Sequence, residues 1–372
     1  MRLAIQGVGV VGGFGCGIEA LSHVLATQES RPQSVSIKTA KGMRQMPAFL
    51  ADTARIEDFV DKKALRRVDH YSKLALLGAF LALENAGQSE GDHQRMGMVI
   101  ATGYGASRTT FAFLDSFMDD GDKFSSPTHF SNSVHNAAMA NVSMLLGITG
   151  PGLTVSQFEM SVPSALVTAR NWLKEGRVDS VLLGAIDEYC DVLGYCWRRF
   201  FGGKEDAAQG MNPLSFNLQS AIPGEGTAFF LLTREENGGQ SPYGFIEDIE
   251  IGRCGRGKLE VPEEVMLIIG ADGHKKCGSY YKRYVPGSAP VACYTPLYGS
   301  LPVGPAFDMA IAALSIKNKK VFPSPNPCCD KPGIKIVSNE QALGNRPICC
   351  LKIGGGGEWG KMTLGPFPLT RP

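Results

Sequence analysis

Short apolar runs bounded by glycine or polar turns recur along the first half of the chain. The opening run, Leu3 to Val11, alternates apolar residues with glycine and ends in the loop Gly12-Gly13-Phe14-Gly15. Three later runs share this character: Gly97 to Thr102, Leu153 to Ser156 and Ser180 to Ala185. Short apolar runs between turn signals are typical of strands buried on both faces. The pattern therefore predicts a sheet inside the protein.

Two other stretches have helical character. Asp61 to Gly87 is predicted as one long helix, with Asp61 as its cap and a nearly all-apolar segment from Leu74 to Leu83 that requires burial. Ser161 to Glu175 is predicted as a second helix, closed by Gly176. Because the second helix lies between two predicted strands, this half has β-α-β order.

The second half of the chain repeats this order. After the strand Gly226 to Leu232 and the polar stretch Thr233 to Pro242, the series is Phe245 to Ile251, Val265 to Ile269, the helical run Pro305 to Lys317, and Ile348 to Gly354. Two such series predict a layered α/β protein with internal pseudo-symmetry. We divide it into halves 1–236 and 237–372.

Composition excludes several functions. Lys+Arg 37 against Asp+Glu 36 leaves a net charge of +1, so no nucleic-acid or anionic-membrane surface is indicated. No run of about 18 apolar residues and no signal peptide is found, which predicts a cytoplasmic protein without a membrane span.

The 10 cysteines are expected to be free, buried thiols without a metal, because the adjacent pairs Cys328-Cys329 and Cys349-Cys350 lack C-x-x-C spacing. The first glycine loop lacks the G-x-G-x-x-G order of a dinucleotide site. No cofactor is expected.

Several segments together resemble the β-ketoacyl-acyl-carrier-protein synthases, or ketosynthases, and their chain-length-factor relatives. They are DKKALRRVDHYSKLALLGAFLALENAG, MVIATGYGAS, HFSNSVHNAAMANVSMLLGITGPGLTV, GRVDSVLLGAIDEY, PGEGTAFFLL and IGGGGEWG. The resemblance implies a thiolase-like α/β/α/β/α five-layer sandwich of two pseudo-symmetric halves, and a dimer.

A ketosynthase uses a cysteine at a helix N-terminus as its nucleophile, supported by two histidines. Alignment from Gly150-Pro151 and from Gly176 both place Glu159 at the cysteine position. A carboxylate is comfortable at a helix N-terminus, but its acyl derivative would be a reactive anhydride. Glu159 is therefore predicted to cap the helix and fill the pocket.

Both histidine positions also differ. The first aligns with Asp272, although His274 lies two residues further and a local shift would restore a histidine there. The second aligns with Ser300, after Gly299. The family's lysine before this position is missing, since Tyr294 or Thr295 lies in its place.

The scaffold around these positions is retained. The resemblance places Phe158, Gly355 and Gly356 beside the substrate, and it relates Gly224-Glu225-Gly226 and Gly354 to Gly357 to backbone turns or part of an oxyanion site. Turns and packing are the favoured interpretation of these glycines.

Three replaced positions predict a non-condensing, chain-length-factor-like subunit that pairs with an active ketosynthase as a homo- or heterodimer. The segment Phe111 to Met139 matches the family's dimer-interface region, although Phe and Met stripes are more often core. The alternative is an acyl-thioester enzyme in which Glu159 acts as a general base beside Asp272, one carboxylate raising the pKa of the other. An acyl carrier protein is a further expected partner, with Arg66, Arg67, Arg198 and Arg199 as candidate contacts.

Overall fold

The computed structural model describes residues 1–39, 42–201, 210–235, 241–255 and 259–366. In the N-terminal half the elements are β1 Leu3–Gly12, β2 Gly15–Cys16, α1 Ile18–Thr27, β3 Gln33–Thr39, β4 Gly42–Ala48, α2 His70–Asn85, β5 Met96–Thr102, α3 Ser107–Asp120, α4 Pro127–Asn132, α5 Ala137–Leu146, β6 Gly152–Ser156, α6 Ser161–Lys174, β7 Ser180–Asp187, α7 Asp191–Phe201 and β8 Gly226–Arg234. In the C-terminal half they are β9 Phe245–Arg253, β10 Met266–Ile269, α8 Lys275–Tyr284, β11 Pro290–Ala292, α9 Gly304–Asn318, β12 Lys320–Val321, β13 Lys335–Ile336, β14 Gln341–Ala342, β15 Ile348–Ile353 and β16 Glu358–Gly365.

The two halves share one strand topology. The N-terminal strands lie in the order β6-β5-β7-β8-β1, and the C-terminal strands in the order β11-β10-β15-β16-β9, with β13 added at the edge. In both halves the first three strands of this order are parallel and the next two are antiparallel. The two sheets meet where Leu3 pairs with Ile246 and Ala4 with Phe245, which makes one continuous sheet of 12 strands. The predicted internal pseudo-symmetry is confirmed.

The helices form the remaining layers. α6 contacts β5 and β7 of one half as well as β9 and β16 of the other, and α9 contacts β15 and β16 as well as β1 and β8. These two helices therefore lie between the sheets, where α9 is almost entirely buried. α2 covers the outer face of the N-terminal sheet, and α8 packs on β15 of the C-terminal sheet. The layered α/β prediction is confirmed.

Alternation along the strands explains how one sheet serves two cores. On β8, Phe230 and Leu232 belong to the core between the sheets, while Phe229 and Leu231 face α2. Successive side chains on a strand point to opposite faces, so a strand covered on both sides is apolar throughout. This is why the buried strands appear in the sequence as continuous apolar runs.

One predicted helix is wrong in its first part. The chain from Asp61 forms a turn, in which the Asp61 carboxylate accepts from the Lys63 amide at 2.7 Å, and then a short 3₁₀ helix. An extended residue, Val68, separates that segment from α2. The local side-chain hydrogen bond competes with continuous helix, and α2 begins only at His70.

The cysteine prediction is partly correct. All ten cysteines are free, but only Cys190, Cys277, Cys293, Cys349 and Cys350 are buried, and Cys328 is exposed. The boundary proposed between residues 236 and 237 lies outside the described residues, as does part of the polar stretch from Thr233 to Pro242. Among the helices in the described ranges, none is long and apolar enough to cross a bilayer.

Candidate functional site

The loops that follow the parallel strands carry the residues singled out above. In open α/β sheets these C-terminal strand ends form the usual place for a site. Glu159 follows β6, Asp272 follows β10, Ser300 lies between β11 and α9, and Gly355 and Gly356 follow β15. Glu159 after β6 and Ser300 after β11 therefore occupy equivalent places in the two halves, whereas Asp272 and the two glycines follow β10 and β15, the counterparts of β5 and β7.

A strained turn leads from β6 into α6. Phe158 has φ 46°, a left-handed conformation that is unfavourable for an aromatic residue. The Ser161 hydroxyl holds the turn, because it accepts from the Gln157 amide at 2.7 Å and lies 2.8 Å from the Thr102 carbonyl, to which it donates. Such a turn persists only when its surroundings fix it. It places residue 159 shortly before the first residue of α6.

Glu159 is only half-buried in this position. In the described part of the chain its carboxylate takes part in no hydrogen bond or ion pair. Its charge nevertheless reaches neighbouring groups: burial together with the charges of Asp187, Glu159 and Asp272 raises the pKa of Tyr104. The predicted side-chain cap of α6 is therefore not formed, since no side chain caps its N-terminus. Glu159 stands as a negative charge beside the turn.

Asp272 is in the opposite condition. It is buried and forms an ion pair with Lys352, whose Nζ lies 2.7 Å from Oδ2. The same ammonium donates to the Gly270 carbonyl at 2.9 Å. Burial is the largest single influence and disfavours the Asp272 carboxylate, but the Lys352 charge, the electrostatic effect of His274 and the hydrogen bonds from both residues together lower the pKa of Asp272 to about 2. Burial likewise disfavours the Lys352 ammonium, yet Asp272 raises the pKa of Lys352 above its ordinary value. Both groups are charged at neutral pH.

Ser300 joins this ion pair. Its hydroxyl donates to Asp272 Oδ2 at 3.1 Å, and the side chain is buried. Its backbone is fixed as well, because the Ser300 amide donates to Ile222 O at 2.7 Å and the Gly224 amide donates to Ser300 O at 3.0 Å. Two of the predicted site residues, Asp272 and Ser300, are therefore in direct contact.

A second buried carboxyl lies close to the ion pair, on α9. Asp308 accepts a hydrogen bond from the Tyr298 hydroxyl at 2.7 Å. Burial raises the pKa of Asp308 to about 7, against the Tyr298 hydrogen bond and the Lys352 charge. Because the Lys352 ammonium is already paired with Asp272, Asp308 is the group that retains its proton.

In the described part of the chain, the His274 ring forms no hydrogen bond with Asp272. The ring lies 4.8 Å from that of Trp197 and 4.6 Å from that of Phe201, between centroids. Its Nδ1 is 3.3 Å from Gln219 Nε2, and only its backbone amide approaches Asp272, at 3.4 Å. Burial lowers the pKa of His274, so the imidazole is neutral at pH 7.

The cluster Gly354 to Gly357 forms a turn, as the favoured interpretation predicted, whereas Gly224 lies in a β-bridge with Phe49 and Gly226 begins β8. The Gly357 amide donates to Gly354 O at 3.0 Å, and the Gly356 amide lies 3.4 Å from Glu358 Oε1, the acceptor. A side chain on Gly354 would meet the Glu358 carboxylate at 2.3 Å. The Glu358 carboxylate therefore occupies the space beside the turn between β15 and β16.

Glu225, in the other glycine cluster, links separate segments. Its buried carboxylate accepts from the amides of Ala51 at 3.1 Å and Tyr189 at 2.8 Å, and it lies 3.1 Å from His70 Nε2. Tyr294 and Thr295, one of which the resemblance aligns with a lysine, are also structural. Their hydroxyls donate to the carbonyls of Phe322 and Ala271, each at 2.6 Å.

The structure adds Lys352 and Asp308 to the site, neither of which was predicted. The signal for Lys352 was a single charge inside the otherwise apolar segment ICCLKI, a pattern that calls for a buried partner. The predicted mutual elevation of carboxyl pKa values is wrong for Asp272, whose pKa is lowered by Lys352. No cluster of three or more metal-ligating side chains suited to an ion occurs in the ranges that the structure describes.

Comparison with known proteins gives a consistent result. Residues 2–237 match the family model "Beta-ketoacyl synthase, N-terminal domain". Nodulation protein E from Rhizobium sp. (strain N33) is 26% identical over 242 residues, which cover 63% of this chain and 58% of that protein. The chain thus spans less than two thirds of the length of this curated relative.

Two solved structures match nearly the whole chain. One is the ishigamide ketosynthase/chain length factor, with a TM-score of 0.82 and 18% identity over 98% of this chain and 99% of the other. The second is a beta-ketoacyl synthase from Burkholderia phymatum STM815, with a TM-score of 0.81 and 15% identity over the same shares of the two chains. At these identities the two structures establish a shared fold.

Proposed function

Because this chain belongs to the beta-ketoacyl synthase family, we propose that it is a non-condensing subunit that pairs with an active ketosynthase. The observation that carries this proposal is the buried contact of Asp272 with Lys352 and Ser300. We assign Asp272 and Ser300 to the two histidine positions and Glu159 to the nucleophile position of the family. None of these three residues offers a thiolate or a free imidazole. They therefore lack the groups that carry out decarboxylation and acyl transfer by the family's route.

Acid-base chemistry on a thioester is less well supported. A general base needs a pKa near the working pH, whereas the pKa of Asp272 is about 2 and its carboxylate is held by two donors. Glu159 would have to act alone.

An exposed apolar face supports the role as a partner. Ten of the large apolar side chains that the described residues expose lie between positions 114 and 158: Leu114, Phe117, Met118, Phe124, Phe130, Val134, Met144, Leu145, Leu153 and Phe158. The stripe between Phe111 and Met139 is therefore largely surface, and not core. Exposed apolar side chains concentrated in one region of the chain are typical of a protein interface.

The edge of the sheet lies in the same region. β6 pairs with β5 on one side, and no other described strand pairs with its free edge. A free edge strand is a template for pairing with another chain. We propose that the partner ketosynthase covers this edge and the apolar face together.

An acidic carrier protein is the second proposed partner. Arg66, Arg67 and Arg108 line a groove of about 340 Å³ together with His70 and His129. A groove with this charge is complementary to an acidic carrier and would raise the rate of encounter. Arg198 and Arg199 are exposed on α7, where they are available to the same partner.

Co-purification tests the partner role. We expect the chain to form a stable heterodimer when produced with an intact ketosynthase, as measured by light scattering, and to lack condensing activity alone. Met144→Asp, at a side chain 73% exposed on the apolar face, should dissociate the heterodimer. Met43→Asp, 60% exposed on the distant β4, is the matched control and should leave it intact. A monomer that binds no ketosynthase, or condensation by the chain alone, would overturn the proposal.

A further inference from the structure

Five aromatic rings form two groups of ring contacts, and the first group includes Phe158, the residue before Glu159. The Phe158 ring lies 6.1 Å from that of Tyr104. In the second group, Trp197 packs against His274 at 4.8 Å and Phe201 at 5.5 Å, which are themselves 4.6 Å apart. We call these residues the aromatic wall: Tyr104, Phe158, Trp197, Phe201 and His274.

The wall residues come from four separate parts of the chain. Tyr104 follows β5, Phe158 follows β6, Trp197 and Phe201 belong to α7, and His274 precedes α8. Two of the rings are solvent-accessible, Phe158 at 58% and Phe201 at 44%, while Trp197 is 7% exposed.

Charge around the wall does not balance. Asp272 is neutralised by Lys352, and the His274 imidazole is neutral because burial lowers its pKa. Glu159 acts on the same rings, since its charge contributes to the pKa values of Tyr104 and His274. No described cation pairs with Glu159; Arg198, Arg199, Lys275 and Lys276, the basic residues next to the wall in sequence, are exposed. Glu159 also helps to raise the pKa of Lys352, the ammonium that pairs with Asp272, so two carboxylates share this one buried cation among the described residues.

We propose that Glu159 and the aromatic wall bind an alkylammonium group, either as a small free amine or as the amino group of an acyl chain. Aromatic faces attract a cation that has an apolar skirt, and a carboxylate without a partner supplies the opposite charge. Acyl groups that end in a carboxylate, such as malonyl, would be repelled by Glu159. Phe158 also belongs to the apolar face that we assign to the partner, so the binding tests use the chain alone, in which this ring is 58% exposed.

Calorimetric titration of the purified full chain tests the proposal. The probes are choline, its uncharged isostere 3,3-dimethylbutanol, and butylammonium. We expect the ammonium probes to bind at least about tenfold more tightly than the isostere. Equal affinity for choline and the isostere, or no ammonium binding at millimolar concentrations, would overturn the proposal, and neither result requires a variant to fold.

Two matched variants locate the site. Glu159→Gln should reduce the preference for ammonium to less than about twofold. Glu175→Gln removes a carboxylate from the other end of the same helix, where it pairs with Arg177, and should retain the preference. Circular dichroism confirms that each variant is folded. An unchanged preference in Glu159→Gln, or an equal loss in both, would contradict the assignment.

A last comparison separates the two sources of the ammonium group. If the ligand is an acyl chain, aminobutyryl-pantetheine should bind more tightly than both butyryl-pantetheine and butylammonium. If the ligand is a free amine, butylammonium should bind as tightly as aminobutyryl-pantetheine. Stronger binding of butyryl-pantetheine than of either amine would overturn the proposal.

Discussion

Each half of this protein places an acidic residue after a parallel strand of its sheet, but the two residues lie in opposite environments. In the C-terminal half, Asp272 is buried and is bound by Lys352 at 2.7 Å and by Ser300 at 3.1 Å. In the N-terminal half, Glu159 is half-buried beside a strained turn, with no described partner. One carboxylate has become part of the core, and the other remains available to a ligand.

This difference shows two ways in which a fold accommodates an acidic residue after a strand. A buried charge is tolerated when a second charge and hydrogen bonds compensate for its desolvation, and Lys352 supplies that compensation inside β15. A carboxylate at the mouth of a helix needs no such partner, because water and the helix dipole stabilise it. Variants of each residue should therefore behave very differently.

The largest expected effect is that of Lys352→Met, which leaves Asp272 buried and unpaired. We expect it to lower the free energy of unfolding by about 3–5 kcal/mol, as measured by urea denaturation. Adding Asp272→Leu should recover most of the loss, because no buried charge then remains. Lys361→Met is the matched control on β16; its partner Glu250 is 43% exposed and can be hydrated, so the loss should be smaller. Equal losses in the two single variants would refute a special role for the Asp272 pair.

A second effect depends on pH. The pKa of Asp308 is about 7 in the folded chain, against an ordinary value of 3.8, so between these values the folded state holds a proton that the unfolded state releases. Stability from this group is therefore present at low pH and falls as pH rises towards 7, by about 1.4 kcal/mol per pH unit at most. Asp308→Asn should remove that slope from unfolding curves measured between pH 4.5 and 7.5. Parallel curves for the variant and the parent would contradict the raised pKa.

Ser300→Ala tests the third contact of the cluster. It removes a hydrogen bond to a charged group but leaves the Lys352 ammonium in place, so we expect a loss of about 1.5 kcal/mol in urea denaturation. Ser34→Ala, which removes an exposed hydrogen bond to Gln45, is the control and should change little. If both serines cost the same, Ser300 contributes nothing to holding Asp272.

The smallest effect on stability should come from Glu159→Gln. Because the described residues give this carboxylate no hydrogen bond or ion pair, its removal should change the free energy of unfolding by no more than about 0.5 kcal/mol. Thermal denaturation at two ionic strengths measures it. A loss comparable to that of Lys352→Met would show that both halves are closed in the same way, and the contrast drawn above would be wrong.

Local pattern was sufficient for most of the fold. The apolar runs that became β5, β7, β10 and β15, and the helices α6 and α9, were predicted within one or two residues of their ends. Elements of this kind carry their own period and turn signals. The long helix predicted from Asp61 was wrong at its start, because a local hydrogen bond between the Asp61 carboxylate and the Lys63 amide overrides the helical pattern there.

The sequence by itself determined the pseudo-symmetric α/β architecture, the absence of a basic tract, and the acidic residue at the mouth of α6. Only the tertiary structure decided that Lys352 compensates Asp272, because those residues are 80 positions apart and meet through the parallel pairing of β10 with β15. It also decided that Glu159 stays without a described partner while aromatic rings from distant segments gather beside it. Electrostatic pairing and burial depend on which segments of the chain come together in space, and no local sequence pattern carries that information.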